Sequence, residues 1–259
     1  MTTLDEAVLE FGDVKTKIIP AKGALVTALN VRGKDILYLD RASLEPDKSV
    51  RGGIPFLFPF AGKLEGGVLA RTGTEVPQHG FARDKEWAVI EKAPGTLRLA
   101  LESDAQTEQI YPWRFRAEYD VTLVPRGIHI GLWILNRAET TLPVAPGWHP
   151  YLPCSASKKE QGSGDFEGTE PGFLDNGSPN FHKRPPVESR AAFQIPDLGK
   201  VALSFSPKMR TLQFWSLPDR DFVCIEPFTG PANFINTPEA HEIPAGEARD
   251  YWMRLELVD

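Results

Sequence analysis

The sequence predicts an all-β fold of packed or closed antiparallel sheets, in one domain over residues 1–259. Three observations carry that expectation. Many segments alternate apolar and polar residues with period two, the pattern of half-buried strands. Helical periodicity is almost absent. The 23 Pro and 22 Gly are scattered between apolar runs, as turns between many short strands require. At 259 residues the chain is long enough to bury a substantial core without disulfide or metal staples.

Taken in order, residues 2–10 fit one or two helical turns. Residues 96–102 set Leu97, Leu99 and Leu101 against Arg98 and Glu102. Residues 107–111 fit a helical turn that Pro112 stops. Residues 115–124 place Phe115, Ala117, Tyr119, Val121 and Leu123 opposite Arg116, Glu118, Asp120 and Thr122. After Pro125, Arg126 and Gly127, residues 128–136 put Ile128, Ile130, Leu132 and Ile134 on one side, so the two runs form a hairpin. Residues 201–206, 211–215, 222–226 and 251–258 repeat the alternation, and Pro227 closes the third of these. Residues 155–186 differ: polar, rich in Gly and Pro, without sustained alternation. They read as a long surface excursion, of a kind that often flanks a binding site.

A net charge of −6 offers no overall basic footprint for nucleic acid or an anionic membrane. Cys154 and Cys224 stand far apart in sequence with no CxxC, which argues against a disulfide framework or a zinc site. The first ten residues are acidic and lack the basic and apolar regions of a signal peptide, and no apolar run is long enough to span a bilayer. The expectation is a soluble, cytoplasmic protein.

Three stretches break the strand pattern. The first runs from Arg51-Gly52-Gly53-Ile54-Pro55 to Gly62-Lys63 and resumes at Gln78-His79-Gly80-Phe81-Ala82-Arg83. The second is Gly147-Trp148-His149-Pro150-Tyr151, and the third Cys224-Ile225-Glu226-Pro227-Phe228. In the third, Phe222, Cys224 and Glu226 share one strand face, so a carboxylate continues an apolar stripe. On generic grounds an exposed strand end is the commoner setting for such a Glu; a partly desolvated pocket would raise its pKa into a useful range for a base. His149 lies among Trp148, Pro150 and Tyr151, whose rings are flat apolar surfaces; its ordinary reading is a turn histidine packed on its neighbours. His79 has the same ordinary reading, and His129, His182 and His241 carry no signal. No HxH or HExxH pattern supports a metal site.

Together these motifs resemble the aldose 1-epimerase (galactose mutarotase-like) family, which includes a glucose-6-phosphate 1-epimerase group. The ordered set runs from Arg51 to Asn233, and residues Tyr111, Pro112 and Phe115 resemble the family's central strand entry. The resemblance implies a large antiparallel β-sandwich, or supersandwich, with an open sugar cleft on one sheet. It implies that His149 is a general acid on the ring oxygen, Glu226 the base at the anomeric hydroxyl, and His79 a substrate-binding histidine. It further implies that Arg51 contacts sugar hydroxyls or a phosphate, with Lys63, Gln78 and Arg83 as further substrate contacts. Lys63 stands where an arginine is more usual, losing bidentate geometry. The family's substrate-gripping aspartate has no clean counterpart; Asp175 is the candidate, and its ordinary reading is a solvated loop acid. The implied reaction interconverts the anomers of a hexose, with no cofactor and no metal, on a small-molecule sugar or sugar phosphate, in a monomer or homodimer without nucleic-acid or membrane partners. Arg51, Lys63, Arg71 and Arg83 are available to a phosphate. A non-catalytic sugar-binding module on the same fold is the alternative, disfavoured by retention of both Glu226 and His149; a glycoside hydrolase or lyase would need a second active carboxylate.

Overall fold

The computed structural model describes residues 5–45, 48–175, 180–185 and 188–258. Among these, one antiparallel sheet has eight strands in the order Ser163–Gly164, Arg190–Ile195, Gly199–Phe205, Ala248–Val258, Gly127–Asn136, Phe115–Val124, Thr96–Glu102 and Ala88–Ala93. A second, six-stranded sheet runs Asn180–Lys183, Thr211–Ser216, Phe222–Phe228, Gly147–Trp148 and Phe56–Leu57, with Tyr151–Pro153 also pairing to Phe222–Phe228. A four-stranded sheet, Ala7–Phe11 to Lys34–Asp35, packs on the hairpin formed by Phe115–Val124 and Gly127–Asn136.

Alternation decides what faces inward. Along Phe115–Val124 every second residue is buried, as predicted. Tyr119 from this strand meets Phe56 of the six-stranded sheet with ring centroids 5.1 Å apart, and Phe193 meets Phe214 at 5.9 Å. The core is thus the apolar layer between the two larger sheets. Residues 105–110 form the expected short helix, capped by the Asp104 carboxylate on the Thr107 N–H and ended at Tyr111.

Four sequence expectations change. Within residues 2–10, Ala7 to Glu10 belong to the strand Ala7–Phe11, paired with Val14–Ile19, and Asp5 and Glu6 precede it without helix: cross-strand pairing overrides a weak local preference. The hairpin turn is the pair Pro125-Arg126, with Val124 opposite Gly127. Gly127 is inside its strand, where a Cβ would come within 1.9 Å of the Leu255 carbonyl oxygen, so the close neighbouring strand requires glycine there. Pro227 does not end its strand; pairing continues to Phe228, opposite both Thr211 and Gly147. Finally, the 155–186 excursion supplies an edge strand to each large sheet, Ser163–Gly164 and Asn180–Lys183, and none of its described residues lines the main cleft.

Candidate active site

The strand Phe222–Phe228 is buried along its whole length and sorts its side chains by face. Val223 and Ile225 enter the inter-sheet core, while Phe222, Cys224, Glu226 and Phe228 point to the opposite side of the sheet. The register sets Gln213 opposite Glu226, and both Trp215 and Tyr151 opposite Cys224. His149 follows Trp148, whose indole is held in the core by a hydrogen bond to the Tyr119 hydroxyl. Its own N–H donates to the Pro55 carbonyl. The next side chain therefore faces the cleft, where His149 Nε2 lies 3.4 Å from Glu226 Oε2.

The cleft is a cavity of about 870 Å³ lined by Arg51, Lys63, Gln78, His79, Arg83, His149 and Glu226, with Tyr151 and Trp215 as aromatic walls. Seven of the eight site residues expected from sequence thus converge. The eighth, Asp175, ends the 3-10 turn Phe173–Asp175, but its side chain lies outside the described residues. Arg71 is not in the cleft; it pairs with Glu242.

His149 is sandwiched. Its ring stacks on Tyr151 at 4.7 Å and 10°, meets the Trp215 ring edge-on at 5.7 Å, and has His79 5.8 Å away at 73°. His79 sits in a tight turn with φ 71°, followed by Gly80, also at φ 71°. A Cβ on Gly80 would fall 2.2 Å from the Phe58 carbonyl oxygen, so the turn that presents His79 needs a glycine at its close approach. His79 Nδ1 accepts the Gly62 N–H at 3.0 Å. That bond assigns the ring proton to Nε2, which stands 2.9 Å from the Gln78 amide nitrogen, itself a donor, so Gln78 does not accept that proton in this orientation. His79 is therefore a neutral donor.

Electrostatics sharpen the picture. Glu226 is 2% exposed, the reverse of an open strand end, and burial pushes its carboxyl well above the usual range. Burial, then the fields of His79, Arg83 and Arg51, push the His149 imidazole well below its usual value, in place of the near-neutral titration expected from an isolated imidazole. Burial with Arg83 and Lys63 lowers His79 to about 3. Glu226 Oε1 and His149 Nδ1 have no hydrogen-bond partner among the described residues. The rim is cationic: Lys22, Lys48, Arg51, Lys63 and Arg83 line it beside one surface acid, Asp84, and Lys48 pairs with Glu45. Arg51 lies over the Trp215 ring at 5.1 Å, and Arg83 bonds the Gln78 carbonyl at 3.1 Å while sitting 3.6 Å from Asp84.

Sequence reasoning missed the position of Cys224. One donor atom from each of His149, Cys224 and Glu226 lies within 4.8 Å of the others, all three residues being buried. The signal was present, since Cys224 and Glu226 are two apart on one strand face. The third member comes from a distant segment, so no metal-binding spacing could announce the set.

Comparison with known proteins bears on the fold and the family. The family model for aldose 1-epimerase matches residues 8–170, a span holding Arg51, His79 and His149 but ending before Glu226. The Slr1438 protein of Synechocystis sp. PCC 6803 is 29% identical over 99% of this chain and 97% of its own, with a TM-score of 0.89. A galactose mutarotase related enzyme of Lactobacillus acidophilus shares the fold at a TM-score of 0.82, with 15% identity over 98% of each chain. A curated Cenchrus ciliaris protein, provisionally named glucose-6-phosphate 1-epimerase, is 29% identical over 115 residues. That alignment spans 40% of this chain and 32% of the relative, about a third of the relative's length.

Proposed function

The chain belongs to the aldose 1-epimerase family, and on that premise we propose that it interconverts the α and β anomers of a hexose by general acid–base ring opening and closure. The observation that carries the proposal is the His149–Glu226 pair, 3.4 Å apart in a cleft with aromatic walls and ample room for a hexose.

Anomer exchange needs one proton taken from the O1 hydroxyl and one delivered to the ring oxygen O5 as the C1–O5 bond breaks. The open aldehyde turns about C1–C2, and the ring recloses with both transfers reversed. In this reading Glu226 takes the O1 proton and His149 protonates O5. Ring opening therefore starts from carboxylate and imidazolium and ends at carboxylic acid and neutral imidazole; closure runs the other way. One proton shared by the pair serves both halves. The raised carboxyl and lowered imidazole favour the uncharged arrangement in the empty cleft, which is the state the pair reaches once the ring has opened. Bound sugar must favour the proton on His149 for the first step. His79, neutral and donating through Nε2, suits a hydrogen bond to a sugar oxygen.

The test is exchange NMR of anomeric protons with glucose, galactose and glucose 6-phosphate. The wild-type protein should accelerate exchange for at least one, and Glu226→Gln should lose about 10²–10⁴-fold. Near-full activity in the variant would reject Glu226 as the base. Folded protein that accelerates none of them would reject the reaction.

A second reading, that the hexose is phosphorylated, is favoured by the cationic rim around the cleft and by the likeness to the Cenchrus protein. A phosphate is met by charge-assisted hydrogen bonds from such side chains.

A further inference from the structure

Cys224 takes no part in the proton transfers above, yet it lies in the same strand and on the same face as Glu226. It is fully buried beneath Tyr151 and Trp215, its cross-strand neighbours, and burial raises its thiol, so it is not poised as a nucleophile. Imidazole, thiol and carboxylate are the three side-chain donors that zinc takes. In a tetrahedral site with Zn–N and Zn–O of about 2.0–2.2 Å, the edge between those ligands is about 3.4 Å. His149 Nε2 and Glu226 Oε2 already stand 3.4 Å apart. With Zn–S about 2.3 Å, an edge to sulfur is roughly 3.6 Å, so the thiol would have to close by at most about 1.2 Å from the 4.8 Å limit on the trio.

Beside the cluster's composition, Glu226 Oε1 is a buried carboxylate oxygen with no partner among the described residues, on a side chain that lines the cleft, so the carboxylate keeps ligand capacity that no neighbouring side chain fills. Charge also fits. A divalent cation with one thiolate and one carboxylate is net neutral, the only charge state that a buried site holds cheaply. The mixed donor set favours a soft cation over magnesium or calcium, which take oxygen ligands.

We propose that His149, Cys224 and Glu226 form an inhibitory site for a soft divalent cation, zinc above all, with the fourth coordination position open to the cleft. Binding releases two protons, one from the Cys224 thiol and the one shared by His149 and Glu226. No electron is transferred. The occupied trio can neither accept nor deliver a proton, so turnover stops. That inhibitory consequence rests on the proposed anomerase reaction, whereas cation binding does not.

The test separates the two. Metal-free protein is titrated with Co²⁺ and the near-ultraviolet thiolate-to-cobalt charge-transfer band is recorded. One equivalent should produce the band, and added Zn²⁺ should abolish it. Cys224→Ser should show no band while Cys154 remains as an internal thiol control, and His149→Asn gives the same readout should the serine variant not fold. Stoichiometric Zn²⁺ should suppress anomer exchange at least tenfold in the wild type, reversibly with EDTA, and leave Cys224→Ser active. Absence of a band in the wild type, or its persistence in folded Cys224→Ser, overturns the proposal; should that variant not fold, persistence in His149→Asn does the same. A band in a protein without anomer exchange keeps the site and rejects the enzymatic reading.

Discussion

Burying Glu226 in a sheet of apolar side chains penalises its ionised form, and the penalty is measurable as stability. Below the titration range of an ordinary carboxyl, folded and unfolded chains both hold the Glu226 proton and the residue costs nothing through ionisation. Above that range the unfolded chain releases a proton that the folded chain, with its raised pKa, retains, so stability falls as pH rises. Glu226→Gln should therefore raise the thermal midpoint at pH 7, with the gain shrinking toward pH 4; a variant less stable than wild type at both would contradict the assigned shift. His79 works in the opposite sense. Its folded pKa is depressed from 6.5 to about 3, so its contribution is complete above pH 6.5 and is lost as pH falls toward 3. Across that window the stability changes by about 1.4 kcal/mol per pH unit for the one proton. His79→Asn, which tolerates the left-handed backbone at φ 71°, should flatten the acid limb of a urea-midpoint profile; an unchanged slope would remove His79 as its source.

Strands and turns convert these residues into a site. The motif around Gly147 works because Trp148 is anchored in the core, opposite Phe56, while His149 faces the cleft. Phe56 is fully buried against Trp87, Tyr119 and Trp148. Phe56→Ala should cost about 3–5 kcal/mol in chemical denaturation. The same cavity should loosen His149, so anomer exchange should fall more than the folded fraction does; a loss under about 1 kcal/mol would deny Phe56 this anchoring role. Regular alternation made residues 96–102, 115–124 and 128–136 legible, because each strand buries one face and must repeat every second residue. Where the face rule weakens, reading from sequence failed. The strand Ala7–Phe11 is mostly exposed and carries little alternation, and Phe222–Phe228 is buried on both faces, so neither its true length nor the setting of Glu226 showed in its pattern.

At the scale of the molecule, a chain of net charge −6 gathers five cationic side chains at one cleft. Such a local field attracts an anionic substrate despite the opposite overall charge, and salt screens it over about 10 Å at 0.1 M. Should the hexose be phosphorylated, Lys63→Gln and Arg83→Gln should each raise KM for glucose 6-phosphate severalfold and leave free glucose little changed, and KM for the phosphate ester should climb with ionic strength. Equal effects on both sugars would sink the phosphorylated reading. The all-β class and most strand positions were legible in the sequence, because strand periodicity is a local property of the chain; the seven residues that meet at the cleft were marked by the resemblance of short motifs to a known family, their local settings being ordinary ones. Tertiary packing alone reveals that Glu226 is buried, that burial lowers the His149 pKa, that Cys224 stands beside both, and that the described residues of 155–186 serve the sheet edges and not the cleft. Desolvation and donor geometry depend on which distant strands pack together, and no local pattern encodes them.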